Sequence, residues 1–354
     1  MEPELPNQLT SGLIPIAPAN FRSGFVGIIG RPNVGKSTLM NQLVGQKIAI
    51  TSPVAQTTRN RLRGILTTPA AQFIFVDTPG IHKPHHQLGE VLVKTAQSAI
   101  ESVDVVLFVV DSSVEAGGGD RYIVDLLNQY QVPVILGLNK ADQQQDRHKA
   151  EGTRQKAQGR RAEDGEQRTE SGISPSYPPL PIPPSFPSPL DQTYLDLAQT
   201  HGWAVAKFSA LTGEGLEHLQ QVLIDHLEPG PYYYPPDLVT DQPERFIMGE
   251  LIREQILLLT REEVPHSVAV VIDRVEEEPT ITRVLATVFV ERPSQKGILI
   301  GKGGGMLKEI GTSAREQMQK LIAGKVYLEL FVKVEPRWRQ SRARLTEFGY
   351  RIEK

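Results

Sequence analysis

The stretch GIIGRPNVGKSTL, residues 27–39, decides the fold. It closes an apolar, β-branched run and opens a segment with helical spacing. Within it Gly30, Gly35, Lys36 and Ser37 fit the spacing G-x-x-x-x-G-K-Ser/Thr. Glycines let the backbone curl until several N–H groups aim at one point, and the helix N-terminus behind them adds positive potential, so the expected occupant is a phosphate. Lys36 can reach the β and γ oxygens of a nucleotide, and the Ser37 hydroxyl is placed as a Mg²⁺ ligand. Asn33, Val34 and Thr38 complete the predicted cradle.

Outward from this loop, FVGIIG, AQFIFVDT, VDVVLFVVDSS and VPVILGLNK read as strands buried on both faces, and 36–44, 87–101 and 120–129 have helical spacing. The alternation predicts an α/β domain with a mostly parallel sheet and helices on both faces, its ligands at the carboxyl ends of the strands.

Two short motifs at such ends choose the base. In NKAD (139–142) the Asp142 carboxylate can accept from guanine N1–H and the 2-amino group, whereas adenine would leave it desolvated and unpaired. Asn139 can meet the other edge of the base and the Lys140 stem can cover its face. SAL (Ser209, Ala210, Leu211) would bring the Ala210 N–H to guanine O6.

DTPG (77–80) supplies Asp77, a Mg²⁺ ligand through water, and the Gly80 N–H, a γ-phosphate sensor. In the intervening SPVAQTTRNR a threonine can close over Mg²⁺ and the γ-phosphate; Thr58 is favoured and Thr57 is the alternative. Lys36, Thr58 and Gly80 are thus the expected catalytic group. Ile81 stands where a water-orienting glutamine would be useful, which predicts slow intrinsic GTP hydrolysis accelerated by a monovalent cation, an RNA or a partner. The three histidines of HKPHH (82–86) lack an acidic partner and read as surface.

Composition sets outer limits. The 354 residues suffice for two or three domains, the net charge is −3, and no cysteine is available for disulfides, thiol catalysis or sulfur-bound zinc. No apolar run approaches the ~20 residues of a membrane-spanning helix. Residues 1–23 read as a flexible leader and 24–228 as the GTPase domain. A polar and then proline-dense insertion at 143–190, expected to be disordered, interrupts that domain. EPGPYYYPPD lies in a predicted linker, 229–243, and residues 244–354 form a separate α+β unit.

That unit carries a second glycine-rich run, GILIGKGGGMLKEIG (297–311). It lacks the G-K-Ser/Thr ending, so a phosphate-binding P-loop does not fit. A G-x-x-G loop, Gly301-Lys302-Gly303-Gly304, does fit: backbone without side chains can lie close against single-stranded RNA and clamp about four nucleotides. Ile298, Ile300, Met306 and Leu307 would floor the site, with Lys308 beside them. From Lys296 to Lys354 there are 13 Lys and Arg against 6 Asp and Glu, a net +7. Arg337 and Arg339 add charge and Trp338 is expected to stack on a base.

PVAQTTRNRLRGI, DTPGIHKP, QKGILIGKGGGMLKEIG and above all GPYYYPPDLVTDQPERFIMGELIRE resemble the Era family of bacterial GTPases. The resemblance, over roughly 24–142 and 191–354, implies a Ras-like GTPase domain followed by a type II KH domain that binds the 3′ end of 16S ribosomal RNA in 30S subunit assembly. It further implies a cytoplasmic monomer with a fraction held peripherally at the inner membrane, and K⁺ as a second cation, with Asn33 as its ligand. The rival readings are a membrane-associated regulator of cell division and an RNA-binding assembly factor whose hydrolysis is incidental.

Overall fold

The computed structural model describes residues 14–54, 57–81, 87–144, 188–322 and 324–350. The amino-terminal unit contains strands β1 (Arg22–Ile29), β2 (Leu62–Thr67), β3 (Ala71–Asp77), β4 (Val105–Asp111), β5 (Val134–Asn139) and β6 (Ala204–Lys207). They form one sheet in the order β2-β3-β1-β4-β5-β6, in which only β2, paired to β3, runs antiparallel. Helices α1 (Lys36–Val44), α2 (Gln87–Glu101), α3 (Gly118–Leu127), α4 (Pro189–His201) and α5 (Leu216–His226) cover its faces. Strands β3 and β5 are buried along their whole length, which is why they read as unbroken apolar runs. Side-chain alternation divides the neighbouring β1 and β4 between two cores, with Ile28 and Leu107 in one and Ile29 and Phe108 in the other.

Strand β2 was not predicted. RLRGIL mixes charged and apolar positions because β2 is an edge strand, half covered. Its free side is taken by the linker, where the Ile65 N–H donates to Val239 O at 2.8 Å and Arg63 pairs with Asp241 at 2.7 Å. The linker is docked elsewhere too. Gln72 Oε1 accepts from the N–H groups of Tyr233 and Tyr234, and the Tyr232 ring lies 4.3 Å from that of Phe21. Phe21, assigned to the leader, is therefore core, and β1 begins at Arg22.

The insertion is narrower at its roots than its composition implies. Gln144 is buried, and α4 starts at Pro189 with Ser188 as its N-cap. Lys207 Nζ donates to Gln144 Oε1 at 2.6 Å and to Asp191 Oδ2 at 2.7 Å, and Gln144 Nε2 donates to Asp191 Oδ1 at 2.9 Å, so the two ends are tied together. Residues 145–187, the HKPHH run and most of the leader lie outside the described residues.

The carboxyl-terminal unit begins with α6 (Glu244–Leu259) and the short α7 (Val264–Ser267). It continues through β7 (Ala269–Glu278), β8 (Ile281–Val290), α8 (Pro293–Ile300), a 3₁₀ turn at Lys302–Gly304, α9 (Gly305–Leu321) and β9 (Lys325–Val334), and ends in α10 (Arg342–Glu347). Strand β8 pairs antiparallel with β7 and parallel with β9. Ile252, Ile256, Val284, Val288, Leu299, Ile310 and Met318 make its core, each contributing about 1.5–3 kcal/mol by burial. Ile50 and Val54 of the first unit are part of the same cluster, so the units share an apolar boundary.

Candidate nucleotide site and RNA-facing groove

The cradle stands at the carboxyl ends of β1 and β3. Gly35 has φ +97°, and a Cβ there would lie 2.4 Å from Asn139 Nδ2; a Cβ on Gly30 would lie 2.3 Å from Val109 O. Both glycines are demanded by close approach. Lys36 is buried, and its Nζ donates to the carbonyls of Gly30 at 3.1 Å and Arg31 at 2.8 Å. Burial pushes this ammonium down to about 8, against the pull of Asp77. Burial likewise raises Asp77, opposed by Lys36 and by hydrogen bonds from Ser37 and Thr58. Both groups favour their charged forms once an anion and a cation are present.

Three oxygen-bearing side chains converge beside the cradle. Ser37 Oγ is 2.7 Å from Asp77 Oδ2 and 2.8 Å from Thr58 Oγ1, and Thr58 Oγ1 donates to Asp77 Oδ2 at 3.0 Å. Asp77 Oδ1 is buried with no hydrogen-bond partner. An orphaned carboxylate oxygen among hydroxyls suits a hard, oxygen-preferring cation such as Mg²⁺. Among the described residues no group of three or more His, Asp or Glu could hold a metal ion by itself. Of the two candidate threonines, Thr58 faces the site; Thr57 Oγ1 donates to Val54 O at 2.7 Å instead. Gly80 closes the opposite wall, where a Cβ would come 2.7 Å from Pro32 N, and Ile81 is buried with its N–H on Gly30 O.

The NKAD and SAL segments lie side by side. Asp142 is half-buried, and its Oδ1 accepts from Ser209 Oγ at 2.6 Å, which fixes the carboxylate. Lys140, at φ +67°, pairs with Asp111 at 2.5 Å. The Asn139 amide bridges two loops. Its Nδ2 donates to Val34 O at 2.7 Å and its Oδ1 accepts from the Ala210 N–H at 2.8 Å. The Ala210 N–H, expected at guanine O6, is thus engaged by Asn139, and Leu211 projects outward, 72% exposed. Asn33 Nδ2 donates to Pro53 O at 2.9 Å, bracing the cradle against the loop that carries Thr58.

In the second unit, Gly301, Gly303 and Gly304 all have positive φ, and a Cβ on Gly301 would come 2.7 Å from Met306 Cβ. Lys302 and Lys308 are exposed, while Ile300, Met306 and Leu307 are half-buried against the core. Beside the turn, a groove of about 400 Å³ runs between Gly304, Leu307, Lys308 and Arg315 on one side and Tyr327 and Leu330 of β9 on the other. Two expected RNA contacts are corrected. Trp338 is fully buried: its Nε1 donates to Ser267 O at 2.9 Å and its ring meets Phe348 and Tyr350. Arg339 is engaged by Glu291 at 2.5 Å. Arg337 takes φ +54° just before the turn that carries both.

Sequence reading missed the charged residues between the units. The Arg59 guanidinium, 2% exposed, donates to Val268 O at 2.6 Å and Pro265 O at 3.1 Å. Lys47 pairs with Glu254 at 2.6 Å. A signal existed in FIMGELIREQILLL. Glu250, Arg253 and Glu254 are the charges of this otherwise largely apolar stretch, and the i, i+3, i+4 spacing sets them on one face.

A glycine cradle around the buried Lys36, two hydroxyls gathered on Asp77 and a carboxylate fixed by Ser209 on this sheet, followed by an α-β-β-α-α-β unit with a G-x-x-G turn, define a P-loop GTPase joined to a KH module. Residues 25–140 match the family model described as 50S ribosome-binding GTPase, and residues 263–339 that of the KH domain. GTPase Era of Rippkaea orientalis is 67% identical over 98% of both chains, and GTPase Era of Synechocystis sp. 61% over 99% of both. Among solved structures, Era in complex with MgGDPNP and nucleotides 1506–1542 of 16S ribosomal RNA superposes with a TM-score of 0.77, at 34% identity over 93% of this chain and 99% of that one. Aquifex aeolicus Era bound to GDP·AlF₄⁻ gives 0.78 at 33% identity, with the same coverage. The chain belongs to the Era family of GTPases.

Proposed function

We propose that this chain binds and hydrolyses GTP and holds the 3′ end of 16S ribosomal RNA during 30S subunit assembly, its nucleotide state setting its grip on the RNA. The observation that carries the reading is the closure of Thr58 onto Ser37 and Asp77 in a chain whose G-x-x-G groove stands open. The solved relative that holds MgGDPNP together with 16S RNA supports it.

In this reading Gly30 to Thr38 cradle the β- and γ-phosphates, and the Lys36 ammonium neutralises the charge that develops there. Ser37 and Thr58 would hold Mg²⁺ directly and Asp77 through water; the cation, when bound, neutralises phosphate charge. The Gly80 N–H faces the γ-phosphate. Asp142, fixed by Ser209, reads the guanine edge, and Asn139 holds the two motifs in register. With Ile81 apolar and buried, no side chain at that position orients the attacking water, so turnover without an activator is slow. K⁺ bound at the Asn33 carbonyl oxygen is the proposed activator.

On the RNA side, Gly301 to Gly304 take the backbone, Lys302 and Lys308 its charge, and Ile300, Met306 and Leu307 the bases, with Arg337 flanking. No helix among the described residues is long and apolar enough to cross a membrane. We propose that the protein acts as a cytoplasmic monomer with a fraction held peripherally at the membrane through the basic carboxyl-terminal segment. Crosslinking the protein to cellular RNA with GDPNP bound, then sequencing the captured fragments, tests the function directly. Enrichment of the 16S 3′ end is expected; RNA with no such enrichment would overturn it.

A further inference from the structure

Thr58 is the residue through which the cation site and the second unit meet, and its neighbours on both sides are held by that unit. The preceding residue, Thr57, offers its carbonyl to Arg253 of α6. The following residue, Arg59, reaches into the second unit and donates to Val268 O, Pro265 O and His266 O, its guanidinium 5.9 Å from the Tyr350 ring centroid. Seven residues before Thr58, the Thr51 N–H donates to Glu254 Oε1 at 2.9 Å, and Ile50 sits in the second unit's core. The loop is gripped at both ends by one face of α6.

Arg253 is the member of that face that meets the residue next to Thr58. Its side chain is 1% exposed, and Glu250, one turn earlier, holds it through Nε at 2.8 Å and through the nitrogen that also serves Thr57 at 2.5 Å. Two acceptors on one guanidinium fix its plane, so the Thr57 carbonyl meets a donor with little freedom to move. Without that donor the carbonyl would be left unsatisfied in a partly buried place, and the backbone would turn toward water. A rotation of the 57–58 peptide carries the Thr58 hydroxyl away from Ser37 and Asp77.

We propose that Arg253, oriented by Glu250, is a positioning residue for the nucleotide site, supplied by the KH unit. It holds Thr58 in the arrangement that receives Mg²⁺ and the γ-phosphate. The second unit therefore completes the GTP-bound form of the first, and it does so for the triphosphate alone, because GDP has no γ-phosphate for Thr58 to meet. This rests on the reading of Thr58 as a cation and γ-phosphate ligand, and the test separates the two.

The test measures the affinities of the full-length protein for GDPNP and GDP in Mg²⁺, for the parent and for Thr58→Ala, Arg253→Met, Arg253→Lys and Glu250→Gln. Thr58→Ala should weaken GDPNP and spare GDP. Arg253→Met should do the same by about tenfold, within ordinary intersite coupling, and add little on top of Thr58→Ala. Arg253→Lys, which keeps a donor for the Thr57 carbonyl, should recover part of the loss. If Arg253→Met does not fold, Glu250→Gln carries the test, with a smaller loss of the same selectivity. If Thr58→Ala acts on GDPNP while Arg253 and Glu250 variants do not, or if they weaken both nucleotides alike, the positioning role is wrong and the Thr58 reading stands. If Thr58→Ala changes neither nucleotide, both fall.

Discussion

Asn139 Nδ2 and Val34 O lie 2.7 Å apart although 105 positions separate them, while Asn139 Oδ1 takes the Ala210 N–H at 2.8 Å. One buried amide thus staples the phosphate cradle to the loop that follows β6. Asn139→Ala would leave a buried carbonyl and a buried N–H unsatisfied, at about 1–3 kcal/mol each. Affinity for GDP and GTP should fall together, by about tenfold or more, while preference for guanine over adenine, carried by Asp142, persists. Titration with fluorescent guanine and adenine nucleotides checks it. Selective loss of guanine preference would instead place Asn139 against the base.

Removing the divalent cation separates the two nucleotides. Asp77 Oδ1 has no partner and Thr58 closes the same site, so the cation and the γ-phosphate depend on one another. Chelation should weaken GDPNP by several-fold more than GDP, and Asp77→Asn should reproduce that difference with Mg²⁺ present. Equal losses for both nucleotides in competition binding would count against the assignment.

Trp338 is structural. Its ring is enclosed by Phe348 and Tyr350 and its Nε1 is satisfied by Ser267 O. Trp338→Ala should cost about 3–5 kcal/mol of stability. Trp338→Phe, which keeps most of the packing, should bind RNA as the parent does. Chemical denaturation and RNA anisotropy read the two effects apart; a folded Phe variant with weakened RNA binding would restore the stacking role.

The clamp at the insertion's roots sets a pH window. Asp191 is buried, which by itself would raise its pKa, but the hydrogen bonds from Lys207 and Gln144 lower it below its ordinary 3.8. A carboxylate with a depressed folded-state pKa contributes stability that is fully present above the ordinary value and is lost as pH falls through the lowered one. Asp191→Asn should therefore cost roughly 3 kcal/mol, constant from pH 5 to 8, with the gap to the parent closing only below about pH 4. Urea unfolding at stepped pH tests this. A gap that changes across pH 6 to 8 would assign the clamp to another group.

Sequence legibility followed burial. Strands buried on both faces, β3 and β5 above all, announced themselves as apolar runs, and the glycine spacing of the cradle is dictated by backbone approach. Strand β2 was hidden because its cover is the linker, whose Asp241 lies 178 positions beyond its partner Arg63, a long-range contact that no local pattern records. Trp338 and Arg339 were read as RNA ligands because a basic, aromatic run looks alike whether it faces solvent or folds back on its own domain. What decided between these was Ser267 and Glu291, neither of them near in sequence. The Asn139 staple was hidden for the same reason: the motif predicts which residues gather, and the partners of each amide follow only from the third dimension.

The most direct test of a GTP-gated grip on RNA is the dissociation constant of a 16S 3′-end fragment for the full-length protein saturated with GDPNP and, separately, with GDP. Tighter binding with GDPNP, by about fivefold or more, is the predicted result. Equal constants in the two states would contradict it.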